Sequence, residues 1–225
     1  MKRKHKSINF YKQYIKAGDL CFDIGANVGL RTEIFLDLKA KVISVEPVEE
    51  SYSKLKEKFN SNKNSTILTV AIGSKSETKD IFISNHLEVC TLSEQFIEKY
   101  KNQKEHNIKW EEVRTTEIIT LDHLIKEYGI PSFCKIDVEG YETEVLKGLS
   151  QPLPIISFEY NARLKNLALD CINILSKFDS VSYNFSPYES MKFSLNKWTN
   201  KVDFYSFIDA LPEDVKTGDI YVKQS

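Results

Sequence analysis

Short apolar runs alternate along most of the chain with segments whose apolar residues recur every three or four positions. Leu20–Ile24 is an apolar run broken only by Asp23 and predicts a buried strand. Residues 30–38 place Leu30, Ile34, Phe35 and Leu38 on one face, which is helical spacing. Val42–Val45 predicts a second strand, and residues 49–60 a helix with Tyr52, Leu55 and Phe59 inward. A polar turn leads into a third strand over Ser65–Ile72, which Gly73 ends. Lys79–Ser84 alternates like an edge strand or half of a hairpin. Further on, strands are predicted over Thr116–Thr120, Phe133–Val138, Ile155–Tyr160, Val181–Phe185 and Asp219–Lys223. Helices are predicted over Leu121–Tyr128, Tyr141–Leu149, Ala162–Phe178 and Asp203–Leu211, with a hairpin within Ser186–Asn200. At the start, a helix over Ile8–Ala17 would lay Phe10, Tyr14 and Ile15 on the sheet before Gly18-Asp19 breaks it.

Strands that alternate with helices imply an α/β fold: a Rossmann-like, doubly wound, mostly parallel sheet covered on both faces. The last strand follows a turn at Lys216–Gly218 rather than a crossover helix, which favours an antiparallel insertion. Residues 85–114 depart from the alternation and are expected to form a lid-like insertion, with Trp110 anchoring its far end. A chain of 225 residues suits a single domain over 1–225, with residues 1–17 as an N-terminal helix and tail.

Charge and cysteine usage narrow the partners. The formal net charge is -1, so nucleic acid is not an expected partner. The basic start Met1-Lys2-Arg3-Lys4-His5-Lys6 is read as a solvated tail; a contact to an anionic surface is the alternative. No signal-peptide pattern follows it, and no stretch is long enough to span a membrane. Cys21, Cys90, Cys134 and Cys171 show no C-x-x-C pairing and are read as reduced, which points to a cytoplasmic protein. His5, His86, His106 and His123 are too scattered for a zinc site.

Two stretches carry chemistry. In the first, the strand Leu20–Ile24 runs into Asp23-Ile24-Gly25-Ala26-Asn27-Val28-Gly29 and then a helix. Gly25 and Gly29 are read as letting the backbone turn and a ligand approach it. Glu46 ends the next strand, where a carboxylate accepts both hydroxyls of a ribose. Ala26 stands where a dinucleotide turn wants its second glycine, and Asp23 would repel a pyrophosphate. The same carboxylate suits the amino group or sulfonium of S-adenosylmethionine (SAM), which is the expected cofactor.

The second stretch is Lys135-Ile136-Asp137-Val138-Glu139-Gly140-Tyr141-Glu142. A charged residue inside an apolar strand is costly unless paired. Asp137 falls where its strand leaves the sheet, an edge at which ligands bind. It could orient the cofactor's amino group or take the acceptor's proton. Asp137 and Glu139 could instead cap the following helix, and Glu142 could cap it or face solvent. Glu159 lies near the end of the next strand and is a similar case.

Together these stretches resemble the FkbM-like family of SAM-dependent methyltransferases. Phe22–Gly29 followed by Val45-Glu46-Pro47 is one block that carries the resemblance. Thr120-Leu121-Asp122, Lys135–Glu142 and Val145-Leu146-Lys147-Gly148 make up the other. The match covers Leu20 to Leu149; the half from Pro152 is similar only loosely. The resemblance implies a class I methyltransferase fold, with a seven-stranded sheet whose last strand is antiparallel. It implies methyl transfer, usually to a hydroxyl on a sugar, glycan or natural product. It suggests cofactor contacts at Asp23, Gly25, Ala26, Asn27, Gly29, Glu46, Pro47, Ala71, Ile72 and Asp137.

The reaction would be an in-line displacement helped by a base, which contributes roughly 10²–10⁴-fold when well placed. Asp137 is the first base candidate and Glu159 the second, with His86 and His123 behind them. A divalent metal is possible in this acidic part of the sheet but is not predicted. A SAM-binding scaffold without activity is the alternative, and an NAD(P)-dependent oxidoreductase a more distant one.

Overall fold

The structure, a computed structural model, describes residues 2–101 and 107–224. The chain opens with helix α1 (Lys2–Tyr11), then β1 (Leu20–Ile24), α2 (Leu30–Asp37), β2 (Lys41–Val45), α3 (Glu49–Phe59) and β3 (Ser65–Leu68). Next come β4 (Ala71–Ile72), β5 (Glu77–Ser84), α4 (Glu94–Tyr100) and β6 (Trp110–Ile119). The remainder is α5 (Leu121–Tyr128), β7 (Phe133–Ile136), α6 (Glu142–Lys147), β8 (Ile155–Asn161), α7 (Lys165–Leu175), β9 (Val181–Pro187), α8 (Lys201–Asp209) and β10 (Thr217–Gln224).

Seven strands form one sheet in the order β3-β2-β1-β7-β8-β10-β9. All neighbours pair in parallel except β10, the last strand of the chain, which runs antiparallel to both β8 and β9. Helices cover both faces. Phe10, Tyr11, Phe35, Phe59, Phe133 and Tyr221 belong to the core beneath α1–α3, and Leu124, Val145, Ile172 and Phe204 to the core beneath α5–α8. Phe10 and Ile15 are buried on the sheet as expected, and Tyr14 is half-buried.

Several elements differ from the sequence expectation. Helix α1 starts at Lys2 and ends at Tyr11, so the basic start is helical rather than a tail. Lys4 reaches Glu33 at 2.5 Å and Asp37 at 2.8 Å on α2, which gives that end a partner. The expected third strand, Ser65–Ile72, divides. β2 ends at Val45, and the Glu46 N–H takes the Leu68 carbonyl at 3.0 Å, so the chain beyond has no further partner in the large sheet. Ala71–Ile72 pairs instead with Ile118–Ile119. The result is a second sheet in the order β4-β6-β5, whose long hairpin arm was expected only in part. Ser186–Asn200 forms no hairpin; a single bridge joins Tyr183 to Thr199.

The order of the large sheet reverses between β1 and β7, and a crevice opens at their carboxyl ends. Gly25 sits in it with φ of 76°, its N–H on the Val45 carbonyl at 2.9 Å. A Cβ there would stand 1.8 Å from the carbonyl oxygen of Asp137. The other organising contact is a buried charge. Lys135 on β7 has 1% of its side chain exposed and reaches Asp219 on β10 at 2.8 Å and Asp137 at 3.1 Å. Ser157, its β8 neighbour in the register, is small enough to be crossed. Burial opposes the charge of Lys135, but Asp137 and Asp219 outweigh it and its pKa stands above the ordinary lysine value.

Two predictions follow from these contacts. Gly18 also has a positive φ, but a Cβ there meets nothing within 4 Å. Gly18→Ala should therefore cost roughly 1–2 kcal/mol of backbone strain. Gly25→Ala should add an overpacking cost on the order of 1–3 kcal/mol, and denaturant unfolding of the two variants measures the difference. Lys135→Met leaves Asp219 buried without its partner and should destabilise by about 3–5 kcal/mol. The double variant Lys135→Met/Asp219→Asn should recover part of that loss; no recovery would mean that the two side chains do not act as a pair.

Candidate active site

Two adjoining clefts open at the reversal point. The first encloses about 530 Å³, open mouth included, and is lined by Gly25, Asn27, Glu46, Pro47, Ala71, Ile72 and Asp137, among others. The second, of about 640 Å³, is lined by Asp23, Gly25, Ala26, Asn27, Arg31, Asp137 and Glu189, among others. Glu88, Asp137 and Glu139 line both clefts, so these acids stand at the junction.

Glu46 is buried beyond the end of β2. Its Oε2 accepts the N–H of Asn27 at 2.7 Å and its Oε1 the N–H of Val48 at 2.9 Å. Each oxygen keeps a lone pair, so a vicinal diol can still donate to both. Burial raises the Glu46 carboxyl to about 7 against the pull of those two bonds. Asn27 reaches this position with φ of 48°, a left-handed conformation that asparagine tolerates. Ala71 and Ile72 on β4 form an apolar wall beside it.

Asp23 is buried and accepts the Thr32 hydroxyl at 2.6 Å, which in turn contacts Ser44 at 2.8 Å. Burial pushes its carboxyl up, against Thr32. Gly29 lines neither cleft. A Cβ on it would stand 2.4 Å from the Phe59 ring and 2.7 Å from Leu55, so its bare face serves the packing of α3 rather than ligand approach.

The acids after β7 and on β8 come together. Single oxygens of Asp137, Glu139 and Glu159 lie within 4.8 Å of one another, each side chain half-buried. Burial raises the Glu139 carboxyl well above the ordinary value, with Asp137 and Glu142 adding to it. Burial does the same to Glu159, reinforced by Glu139 and Asp137. The positive charge closest to this group is the protein's own, the Lys135 ammonium on Asp137. Glu142 is buried and does not face solvent. Its Oε1 takes the N–H of Val138 at 3.1 Å and of Gly140 at 3.3 Å, which ties the loop to the start of α6. Burial raises it to about 6, against those bonds.

The 85–114 segment, expected as a lid-like insertion, supplies walls of the first cleft. Leu87, Glu88, Thr91 and Leu92 line the first cleft. Thr91 donates to the Glu139 carbonyl at 2.7 Å, and the Trp110 indole donates to the Val89 carbonyl at 2.9 Å, so the anchor expected at Trp110 is present. Arg31, bonded to Glu189 at 2.7 Å, closes the second cleft; neither was singled out, and no spacing in the chain links them. His86 and His123 are exposed and line neither cleft, and His106 lies outside the described residues. No helix among the described residues is long and apolar enough to cross a membrane.

The chain is similar to known methyltransferases. A hexuronic acid methyltransferase, AglP, of Haloferax volcanii is 29% identical over 143 residues, which is 62% of this chain and 54% of AglP. The chain thus spans about half the length of that relative. Among solved structures, an O-methyltransferase from Bacillus cereus in complex with SAH superposes with a TM-score of 0.52 at 12% identity, covering 100% of this chain and 80% of that one. A precorrin-6y C5,15-methyltransferase from Geobacter metallireducens superposes with a TM-score of 0.51 at 10% identity, covering 98% and 87%. Both likenesses concern the fold. The methyltransferase FkbM domain profile matches residues 23–185, more than half of the sequence, and contains the glycine turn, Glu46 and the acid cluster. The chain therefore belongs to the FkbM methyltransferase family, a class I fold with S-adenosylmethionine as its cofactor.

Proposed function

We propose that this protein transfers a methyl group from SAM to a hydroxyl oxygen of a sugar-containing acceptor. The observation that carries the reading is the charge at the junction of the clefts. Asp137, Glu139 and Glu88 line both clefts, and Glu159, which lines neither, has a carboxylate oxygen within 4.8 Å of the first two. Lys135, the cation beside them, is shared between two aspartates. Such a surface favours a cationic cofactor and disfavours a pyrophosphate.

In this reading Glu46 holds the ribose through its two free lone pairs, and Ala71 and Ile72 flank the base. Asp137 faces the amino acid end of the cofactor, with Asp23 behind it. SAM supplies a methyl group already bonded to a good leaving group. The protein's part is to hold the acceptor in line, exclude water and take the hydroxyl proton. The acids also bear on the acceptor. A carboxylate acceptor needs no base and would be repelled by three carboxylates, whereas an alcohol needs a base and brings no charge. The sugar is supported by the acceptor in the name of the AglP relative, and the hydroxyl by the acids.

Two measurements test this. Glu46 accepts two hydroxyls only when ionised. Because burial raises its pKa to about 7, affinity for S-adenosylhomocysteine (SAH) should rise as pH increases through that value. Calorimetry should find binding roughly tenfold weaker at pH 6 than at pH 8. Glu46→Gln should bind roughly 10–100-fold more weakly at pH 8 and lose most of the pH dependence. Binding of NAD⁺ in place of SAH would overturn the cofactor assignment. With a panel of acceptors, methyl transfer should reach neutral sugars and fail on the carboxyl of uronic acids; the opposite preference would reject the hydroxyl reading. Binding of SAH with no turnover on any acceptor would favour a scaffold role.

A further inference from the structure

The acid cluster gives Glu139 a place that Asp137 does not have. Asp137 has its Oδ2 on the Lys135 ammonium at 3.1 Å. Glu139 and Glu159 have no such partner among the described residues, and both stand within 4.8 Å of Asp137 and of each other. The backbone of Glu139 is left-handed, with φ of 51°, and is held from two sides. Thr91 of the insertion grips its carbonyl at 2.7 Å, and Glu142 grips the N–H groups of Val138 and Gly140 on either side. A non-glycine residue in this conformation persists only where its surroundings enforce it. The effect is to hold Glu139 at the wall common to both clefts.

We infer that Glu139 is the general base of the methyl transfer, that it shares one proton with Glu159, and that the positive charge of the bound methyl donor releases this proton. The inference rests on the methyl-transfer reading above. Two carboxylates this close, with Asp137 beside them, do not both ionise readily near neutral pH. Their charged surroundings are Asp137 of the same loop, Glu142 of α6, Lys135 of β7, Asp219 of β10, Glu88 of the insertion, and Asp23, Arg31 and Glu189 across the second cleft. Acids outnumber bases in that list, and the raised carboxyls of Glu139 and Glu159 agree with it. A sulfonium in the cleft offsets one negative charge and leaves the pair fully ionised.

The cycle then balances. With SAM bound, the pair carries no proton. The acceptor hydroxyl forms its oxygen–methyl bond as the sulfur–methyl bond breaks, with the electron pair left on sulfur. Its proton passes to Glu139. The sulfur of SAH is neutral, so the pair keeps that proton until the next SAM binds and releases it to solvent. The cleft is thus armed by the methylated cofactor and disarmed by its product.

The test counts protons. Calorimetric titrations of the full chain with SAM and with SAH, each in buffers of different ionisation enthalpy at pH 7, give the protons released on binding. Glu46 contributes equally to both ligands. SAM should release more protons than SAH, by an amount approaching one, and Glu139→Gln should abolish the difference while still binding both. Equal counts in the unsubstituted protein would overturn the inference with the cofactor assignment intact; binding of neither ligand would overturn that assignment and the inference with it. With an acceptor in hand, Glu139→Gln should lower kcat roughly 10²–10⁴-fold with little change in the KM for SAM. Glu159→Gln should retain turnover and move the acid limb of kcat/KM to lower pH, because the base has lost its neighbour. An unmoved limb, or turnover that needs an added divalent cation, would count against the shared proton.

Discussion

Everything at the site depends on how closely two backbones approach at the reversal of the sheet. Gly25 leaves β1 against the carbonyl of Asp137, with no room between them for a single carbon. That contact sets the angle at which the glycine turn and the acidic loop diverge, and the two clefts are the space they leave. Strands β2 and β7 are then fixed on either side of β1 by parallel pairing. Glu46 and Asp137 therefore arrive at the same edge although 91 residues separate them in sequence. The chemistry is local in space because the steric constraint is local.

A second theme is charge held where the fold would be more stable without it. Glu46, Glu139, Glu142 and Glu159 are all pushed toward their neutral forms by burial. For each, the folded value lies above the unfolded one, so stability from these groups is full below the unfolded value. It is lost as pH rises through the folded one, from about 4.5 to about 7 for Glu46. The ligand-free protein should tolerate mild acid better than mild base at this site. A cationic ligand relieves the same strain, which is how a site can be costly when empty and selective when filled.

Much of this was legible in the chain because its signals are short-range. A strand, a glycine turn and a helix lie in consecutive residues, and so do β7, the acidic loop and α6; periodicity and turn residues disclose both. Glu46 was legible because the end of a strand can be located from its apolar run. The structure changed the reason for Gly29, which a ligand was expected to need and which α3 needs instead. Lys135 was visible as a charge requiring a partner, but Asp219 is 84 residues away, and only the antiparallel return of β10 brings it near. β4 was hidden inside a longer apolar run because two residues are too few to declare a separate strand. Its partner in β6 comes more than forty residues later, beyond the reach of any local pattern.

The small sheet stands apart from the seven-stranded sheet whose strand ends present Glu46 and Asp137. β5 and β6 make their long pairing with each other; β4, the Arg114–Glu50 ion pair to α3 and the buried Ile81, Ile83 and Ile118 join them to the rest. The segment the hairpin carries adds no strand to the large sheet and takes no part in the register that places Glu46 and Asp137. Its residues nevertheless form a wall of the first cleft through Leu87, Thr91 and Leu92. Remodelling of that one appendage therefore alters the wall beside the methyl donor and the grip on Glu139, while the strands that present Glu46 and Asp137 stay in place.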